Sequence, residues 1–470
     1  EAFLEKNPDS PDAWFSMGRV WWEASRMDLS LPHLRRFVER FPDHPIRPGV
    51  TFNSIYDETM EPEDLFKAHV AWGSRLMETR PENVPEVTNN WDRDRRLRVG
   101  YVSSDLGRHP VGFFGITTIP AHDRQRFEVF IYSGRDPVTL DDPVSKEFRR
   151  SVGEDHWRWT CKMSDQELFN LIRKDKIDIL VDLSGHTTGN RMKVFAMRGA
   201  PVQVSWLGYP HSTGVPTIDY RISDEIVEPR DEAEQWSTEK IVRLPNGFHA
   251  IRMPDHLPEP GPPPCLKNGY LTFGSFNNIN KIGNETIRTW ASILNELPES
   301  KLLLKHRTLN AFDNREGIRS LFALFGHAPS RISFSGTTAV HAQHFAMYSR
   351  MDIALDPLGY NGTTTTCEAL YMGVPVLTMP GKKHASRVTA SLLTRVGLEG
   401  WIAKNPDHYL NIARFASQHP ELLAQRRARL RKDFLHSPLN DGQSMARDLE
   451  NAYIQMWDAV CAQRLSKSNT

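Results

Sequence analysis

The stretch from Met351 to Gly381, MDIALDPLGYNGTTTTCEALYMGVPVLTMPG, leaves few ways to fold. Met351 to Asp356 is an apolar run that reads as a buried parallel strand. Gly359, Asn361 and Gly362 break the chain into a tight loop. Four threonines follow, then Cys367 to Met372, which reads as helix up to the stop at Gly373. Val374 to Met379 is a second strand, closed by Pro380 and Gly381. Backbone N–H groups and threonine hydroxyls thus gather at the positive end of a helix, an anion site suited to a nucleotide diphosphate. The same residues also fit a capping box, with Thr365 as cap and Glu368 reaching back, and any soluble α/β protein contains such caps.

The pattern recurs along the chain. Leu97 to Val102 is a strand running into SSDLGRHPVG, and Phe127 to Tyr132 is the next. Ile177 to Leu183 ends in SGHTTG, and Val202 to Leu207 ends in GYPHSTG. Helical stretches, such as Ser164 to Lys174 and Arg191 to Met197, lie between them. Strands alternating with helices indicate a doubly wound parallel sheet. Ligands bind beyond the carboxyl ends of such strands. His109, His186 and His211 all follow strand ends, and which of them acts is open at this point. Met253 to Gly269, MPDHLPEPGPPPCLKNG, reads as an extended linker. A second series follows: strand Leu271 to Phe276, loop Asn277 to Lys281, helix Glu285 to Leu297, and strands Lys301 to Lys305 and Arg331 to Phe334. A last amphipathic helix over 442–464 carries Met445, Leu449, Tyr453 and Trp457 four apart. Two α/β domains joined by a linker imply a ligand cleft between them.

Composition narrows the function classes. Lys plus Arg and Asp plus Glu both number 58 in 470 residues, so nothing overall favours nucleic acid or an anionic membrane. No apolar run in the given sequence is long enough to span a bilayer, and no stretch of it reads as a signal peptide. Cys161, Cys265, Cys367 and Cys461 form no CxxC pair, which argues against a disulfide framework or zinc site and for a reducing, cytoplasmic setting. The chain begins at Glu1 inside what reads as a repeat, so it is expected to be part of a longer protein. Pro8 and Pro42 stand 34 residues apart, in NPD and FPD, with Trp14, Met17, Gly18 and Trp21 between them. That spacing resembles one tetratricopeptide repeat. It departs from the pattern at Ser30, where a small Ala is usual, and at Pro32, which is expected to delay the second helix. Pro62 to Arg80 reads as a further helix. One and a half repeats cannot cover their own apolar faces, so a truncated partner-binding array is expected.

Taken in order, LRVGYVSSDLGRHP, IDILVDLSGHTTGN, RGAPVQVSWLGYPHSTG, FGSFNNINKI and NGTTTTCEALYMGVPVLTMPG resemble the protein O-GlcNAc transferase and SPINDLY family, over about residues 97–463. The resemblance implies a GT-B fold of the α/β class: a helical repeat-like segment and linker helix (1–95), a first Rossmann-like domain (96–252), the proline-rich linker (253–269) and a second, nucleotide-sugar-binding domain (270–470). It implies an inverting transfer of a sugar to Ser and Thr hydroxyls of proteins, with no cofactor and no catalytic metal. Lys281 matches the lysine that faces the donor diphosphate, Thr364 and Thr365 the threonines on the distal phosphate, and Asn278 a polar residue near the phosphates. Asn361, Gly362 and Thr363 complete that loop. Glu368 matches the acidic residue near the ribose. His344 matches the histidine against the base, in a pocket that includes Ala339 and His341. His109 matches the histidine near sugar and acceptor hydroxyl, a candidate for positioning or base work. Arg198 matches the arginine of an RPAP-type motif, here with Gly199 in place of Pro.

The donor is balanced between two expectations. Thr363 and Glu368 replace the histidine and aspartate of animal-type O-GlcNAc transferases, which leans toward SPINDLY and GDP-fucose. Thr337 to His344 contains no carboxylate to receive guanine's N1–H and N2–H₂, which leans toward uracil. UDP-GlcNAc is placed first and GDP-fucose second. The expected partners are acceptor proteins, bound through the repeats and the cleft, with self-association through the helical segment. The rivals are a noncatalytic scaffold, opposed by the intact Lys281 and threonine run, and a small-molecule glycosyltransferase, for which a protein-binding repeat has no use.

Overall fold

The computed structural model describes residues 6–42, 44, 47–326 and 329–468. The chain forms two compact units, and neither is continuous in sequence: Pro62–Arg252 with Pro438–Thr470, and Glu1–Glu61 with Met253–Ser437.

The first unit is built on seven strands: β1 (Leu97–Ser103), β2 (Phe127–Ser133), β3 (Trp157–Trp159), β4 (Ile179–Asp182), β5 (Val202–Ser205), β6 (Tyr220–Ser223) and β7 (Lys240–Arg243). Their order is β3-β2-β1-β4-β5-β6-β7, with every neighbouring pair parallel. Val99, Tyr101, Ile131, Leu180 and Val204 have no exposed surface, as strands covered on both faces require. The helix Asp165–Lys174 starts with a capping box between Ser164 and Glu167, and its Leu168, Phe169 and Ile172 join the core beside the sheet.

The helix Gly442–Ser468 belongs to this unit and not to the second, where the sequence boundaries put it. The spacing of Met445, Leu449, Tyr453 and Trp457 predicts a buried stripe, and all four are buried. Their partners are β1 and its neighbourhood. The Tyr453 hydroxyl lies 3.2 Å from that of Tyr101, and the Glu450 carboxylate is 2.9 Å from His122 Nδ1. A Cβ at Gly442 would lie 2.0 Å from the Thr117 carbonyl, so the close approach requires glycine. Amphipathicity reveals that a face is buried but not what covers it.

The second unit carries β8 (Thr272–Ser275), β9 (Lys301–Lys305), β10 (Ile332–Ser335), β11 (Ile353–Leu355) and β12 (Val376–Leu377), parallel in the order β10-β9-β8-β11-β12. Phe273, Trp290, Ile293, Leu302, Leu304, Ile353 and Leu377 share one core. The linker after Met253 is largely extended, with a short helix at Cys265–Asn268.

The segment expected as one helical piece over 1–95 divides at Glu61/Pro62. The helix Pro62–Glu78 goes to the first unit, where a Cβ on Gly73 would strike the Gly214 carbonyl. The helices Pro11–Glu23 and Met27–Arg40 go to the second. A Cβ on Gly18 would meet Leu34 at 2.5 Å, and the buried Ser30 hydroxyl donates to the Gly18 carbonyl at 2.7 Å, which satisfies the polar residue found where Ala is usual. Pro32 does not delay its helix but lies inside it. It stands near the start, where its missing N–H forfeits one intrahelical bond. Asp43 of the FPD motif lies outside the described residues.

Candidate functional site

In each sheet the strand order reverses beside a central strand, between β1 and β4 in the first and between β8 and β11 in the second. The loops leaving such a pair at their carboxyl ends flank the crevice where doubly wound sheets bind ligands. In the second sheet those loops span 276–283 and 356–363, and they hold Asn278, Lys281, Asn361, Gly362 and Thr363 among the residues singled out in the sequence.

Asp356 organises the second of these loops. It is buried, Oδ1 accepting from the Gly362 N–H at 2.7 Å and Oδ2 from the Thr378 hydroxyl at 2.8 Å. Burial raises its carboxyl to about 6, against the pull of those bonds and of Lys281. The Asn361 side chain is consumed in holding the loop: Nδ2 donates to the Pro357 carbonyl, and Oδ1 accepts from the Thr389 N–H. A Cβ on Gly362 would fall within 2.6–2.9 Å of Thr365 Oγ1, Thr366 Oγ1 and Asn277 Oδ1, so only glycine lets these polar atoms converge.

The helix Thr364–Tyr371 then begins with no side chain capping it. The capping-box alternative is therefore overturned. Thr363 is the cap residue, the Thr365 hydroxyl donates to Asn277 Oδ1 at 2.8 Å, and Glu368 points elsewhere. An uncapped helix start ringed by Thr363, Thr364 and Thr365, all partly exposed, is a site for an anion.

Lys281 comes from the other loop, where Asn278 caps a short turn by accepting from the Asn280 N–H. Its ammonium donates to the Asn361 carbonyl at 2.8 Å and lies 3.8 Å above the centre of the Tyr360 ring. Its side chain keeps some exposed surface, yet the surrounding protein lowers its ammonium to about 8, with Asp356 opposing. One cation, one uncapped helix start and a run of hydroxyls are thus brought together by the two loops.

Beside them, the Lys305 ammonium is 2.8 Å from His344 Nδ1, His344 Nε2 is 2.9 Å from Glu368 Oε2, and the Tyr348 hydroxyl donates to the same oxygen at 2.8 Å. The lysine donor and the carboxylate acceptor together fix the His344 proton on Nε2 and hold the ring in place. The His341 ring lies parallel to that of His344, centroids 6.2 Å apart, and Ala339 is exposed in the loop before them. Among the described residues no group of three or more His, Cys, Asp or Glu is placed to hold a metal ion.

The description of glycosyl transferase family 41 matches residues 77–259 and 265–449. The chain belongs to glycosyl transferase family 41. Among solved structures, a mutant of the O-GlcNAc transferase of Thermobaculum terrenum is 33% identical, covers 98% of this chain and 86% of its own, and superposes with a TM-score of 0.90. The family 41 fold is therefore GT-B, with two Rossmann-like units. Curated relatives include two proteins named probable UDP-N-acetylglucosamine–peptide N-acetylglucosaminyltransferase SPINDLY. That of Solanum lycopersicum is 39% identical over 405 residues, and that of Oryza sativa subsp. japonica 39% over 408; each match covers 85% of this chain. The chain spans 42% and 43% of the lengths of these relatives.

The remaining family 41 candidates lie in the first unit. His109 follows β1 as the cap residue of the helix Pro110–Thr118, its Nδ1 accepting from the Val111 N–H at 3.3 Å. That bond puts the proton of the neutral ring on Nε2, making Nε2 a donor. Burial lowers its imidazolium, Asp105 at 3.9 Å raising it and Arg135 lowering it further. His186 and His211 differ from His109: they are only 1% and 5% exposed, packed with His69 and Tyr209. Of the three strand-end histidines, only His109 has an accessible ring. Arg198 precedes β5, at the amino end of the sheet, and makes a two-pronged ion pair with Asp219 at 2.8 and 2.9 Å. It is not brought to the ligand end. Asn277, Lys305, Tyr348 and Tyr360 were missed in the sequence. Asn277, inside the loop motif that ends at Lys281, and Tyr360, inside the threonine-loop stretch, stand where a local signal could raise them; Lys305 and Tyr348 do not.

Proposed function

We propose that this chain transfers a sugar from a nucleoside diphosphate to Ser and Thr hydroxyls of proteins, with UDP-GlcNAc as donor, inversion at the sugar carbon and no catalytic metal. The observation that carries the reading is the Lys281 ammonium, seated on Tyr360 and Asn361 beside the uncapped start of the helix Thr364–Tyr371. A leaving diphosphate gains negative charge as the glycosidic bond breaks. A fixed cation, threonine hydroxyls and free helical N–H groups are aimed at such charge and hold more tightly as it grows. With Lys281 in this role, the leaving group needs no divalent ion.

In this reading, His344 and His341 stack against the base, Glu368 lies toward the ribose, and Asn278, Thr364 and Thr365 hold the phosphates. His109, with its Nε2 proton, orients sugar or acceptor by donating a hydrogen bond. The acceptor hydroxyl releases its proton late, to a phosphate oxygen or a neighbouring base. The helices over 11–40 belong to a repeat array that engages acceptor proteins.

A second reading, GDP-fucose as donor, is favoured by one observation. The base-pocket segment itself has no carboxylate, but the Glu368 carboxylate reaches His344 within it, and both its hydrogen bonds fall on Oε2. Oε1 is therefore available to receive guanine N1–H and N2–H₂. Calorimetric titration with UDP, GDP, UDP-GlcNAc and GDP-fucose under one set of conditions tests both, followed by mass spectrometry for modified Ser and Thr. UDP as the tighter nucleotide supports the first reading. GDP at least ten-fold tighter overturns it in favour of the second, and no affinity for any of the four overturns both.

A further inference from the structure

The platform beneath Lys281 is assembled from two distant stretches of sequence. Tyr360, whose ring face meets the ammonium, packs against Tyr56 with ring centroids 4.8 Å apart, and Tyr56 packs edge-on to Trp22 at 4.9 Å. Two residues on, Glu58 is wedged between the two ligand loops. Its Oε1 accepts from the Glu285 N–H at 2.7 Å, capping the helix that follows the Lys281 loop. A Cβ on Gly283 would fall 2.3 Å from the Glu58 carboxyl carbon, and one on Gly359 would fall 2.8 Å from Glu58 Cβ. The Lys383 ammonium donates to the Asp57 carbonyl at 2.6 Å. The segment 54–61, which follows the N-terminal helices, is built into the donor loops.

We propose that Tyr360, held from behind by Tyr56, is a positioning residue that keeps Lys281 charged and aimed at the diphosphate. The inference rests on the reading of Lys281 given above. The negative face of the aromatic ring favours the ammonium over the neutral amine, and it opposes the desolvation that lowers this lysine. The other groups facing the site are Asp356 on the same loop as Tyr360, Tyr56 and Glu58 on the N-terminal segment, and Lys383 behind Glu58. Burial holds the phenols of Tyr56 and Tyr360 neutral well above pH 10, so neither changes charge in the working range. Asp356 is the carboxylate that supports the ammonium of Lys281.

The test is the pH dependence of nucleoside diphosphate binding, read by calorimetry with UDP and GDP, using the tighter of the two. Because the Lys281 ammonium sits near 8, the parent should take up protons on binding at pH 8, seen as a dependence of the heat on buffer ionisation. Tyr360→Leu should bind within twofold of the parent at pH 6 and roughly tenfold more weakly at pH 9, with greater proton uptake at pH 8. Tyr360→Phe, which keeps the ring, should follow the parent throughout, and Tyr56→Leu should shift the same way as Tyr360→Leu but less. Equal weakening at pH 6 and 9, or a Tyr360→Leu curve that overlays the parent, overturns the proposal. Should Tyr360→Leu fail to fold, the Tyr56→Leu curve decides on the same criterion. Lys281→Met separates the two layers: weak, pH-flat binding without proton uptake upholds the diphosphate role, and parent-like binding removes that role and the platform with it.

Discussion

The two sheets share a strand order around their central strands and leave similar loops at the reversal, yet they use their polar residues in opposite ways. β4 and β11 each end at a buried aspartate. Asp182 accepts from the Ser184 and Gly185 N–H groups, and Asp356 from Gly362 and Thr378. Burial raises both carboxyls, to about 7 and about 6. Beyond that point they diverge. In the first sheet the histidines and hydroxyls turn inward: His186 meets the Thr213 carbonyl at 2.6 Å, and Ser212 and Thr213 close on Glu239. In the second sheet the helix Thr364–Tyr371 starts with no side-chain cap, ringed by three partly exposed threonines, and the partly exposed Lys281 lies beside it. A polar loop becomes a ligand site only when the fold does not satisfy it from within.

The sharpest way to break this contrast is Lys281→Met. Transfer should fall by about 2.7–4 kcal/mol in the barrier, carried by kcat, with thermal unfolding unchanged. Rates within a few-fold of the parent would erase the distinction between the two reversals.

Gly362→Ala comes next. The added methyl drives apart Thr365, Thr366 and Asn277, and nucleoside diphosphate affinity should fall by roughly 1–3 kcal/mol, measured by calorimetry.

The inward-turned histidines of the first sheet should be felt in stability instead. Burial lowers His69 to about 3 and His186 to about 4, far below their unfolded value. The unfolded chain therefore binds more protons, and the stability these groups confer is present above about pH 6.5 and lost as pH falls toward about 4. His186→Gln should flatten the acid side of a denaturant-derived stability curve by at most about 1.4 kcal/mol per pH unit. An unchanged slope would mean that this ring is not held neutral in the fold.

Arg198→Ala is the smallest effect. Losing the partly exposed Asp219 pair should cost about 0–1 kcal/mol of stability and leave UDP and GDP affinity within twofold of the parent. A tenfold loss of affinity would bring Arg198 back to the ligand end.

What the sequence reveals follows the same divide. The strands legible in it are runs of apolar residues: β1, β2, β4, β5, β8, β9, β10, β11 and β12 fall within a few residues of their expected places. β3, β6 and β7 are three or four residues long and carry Arg, Lys and Ser among their apolar positions, so no periodicity marks them. Lys281 and the threonine run are legible because they lie within contiguous motifs. The Tyr360 platform and the Lys305–His344–Glu368 chain are not, since each joins residues that meet only after the sheet has formed. Thr365 shows the converse. Its local sequence fits a cap equally well, and only Asn277, 88 positions away, decides where its hydroxyl goes.

The interleaving of the two units sets an order on synthesis. Residues 6–61 emerge well before the sheet they pack on, which is not made until residue 272 and beyond. The first sheet is threaded out between them, and it too must wait, because Tyr453 and Glu450 emerge after the whole of the second sheet. The second unit has all its residues once Ser437 is made, whereas the first carries a partly covered core until residues 438–468 arrive. Truncation late in the sequence therefore strikes the sheet encoded earliest.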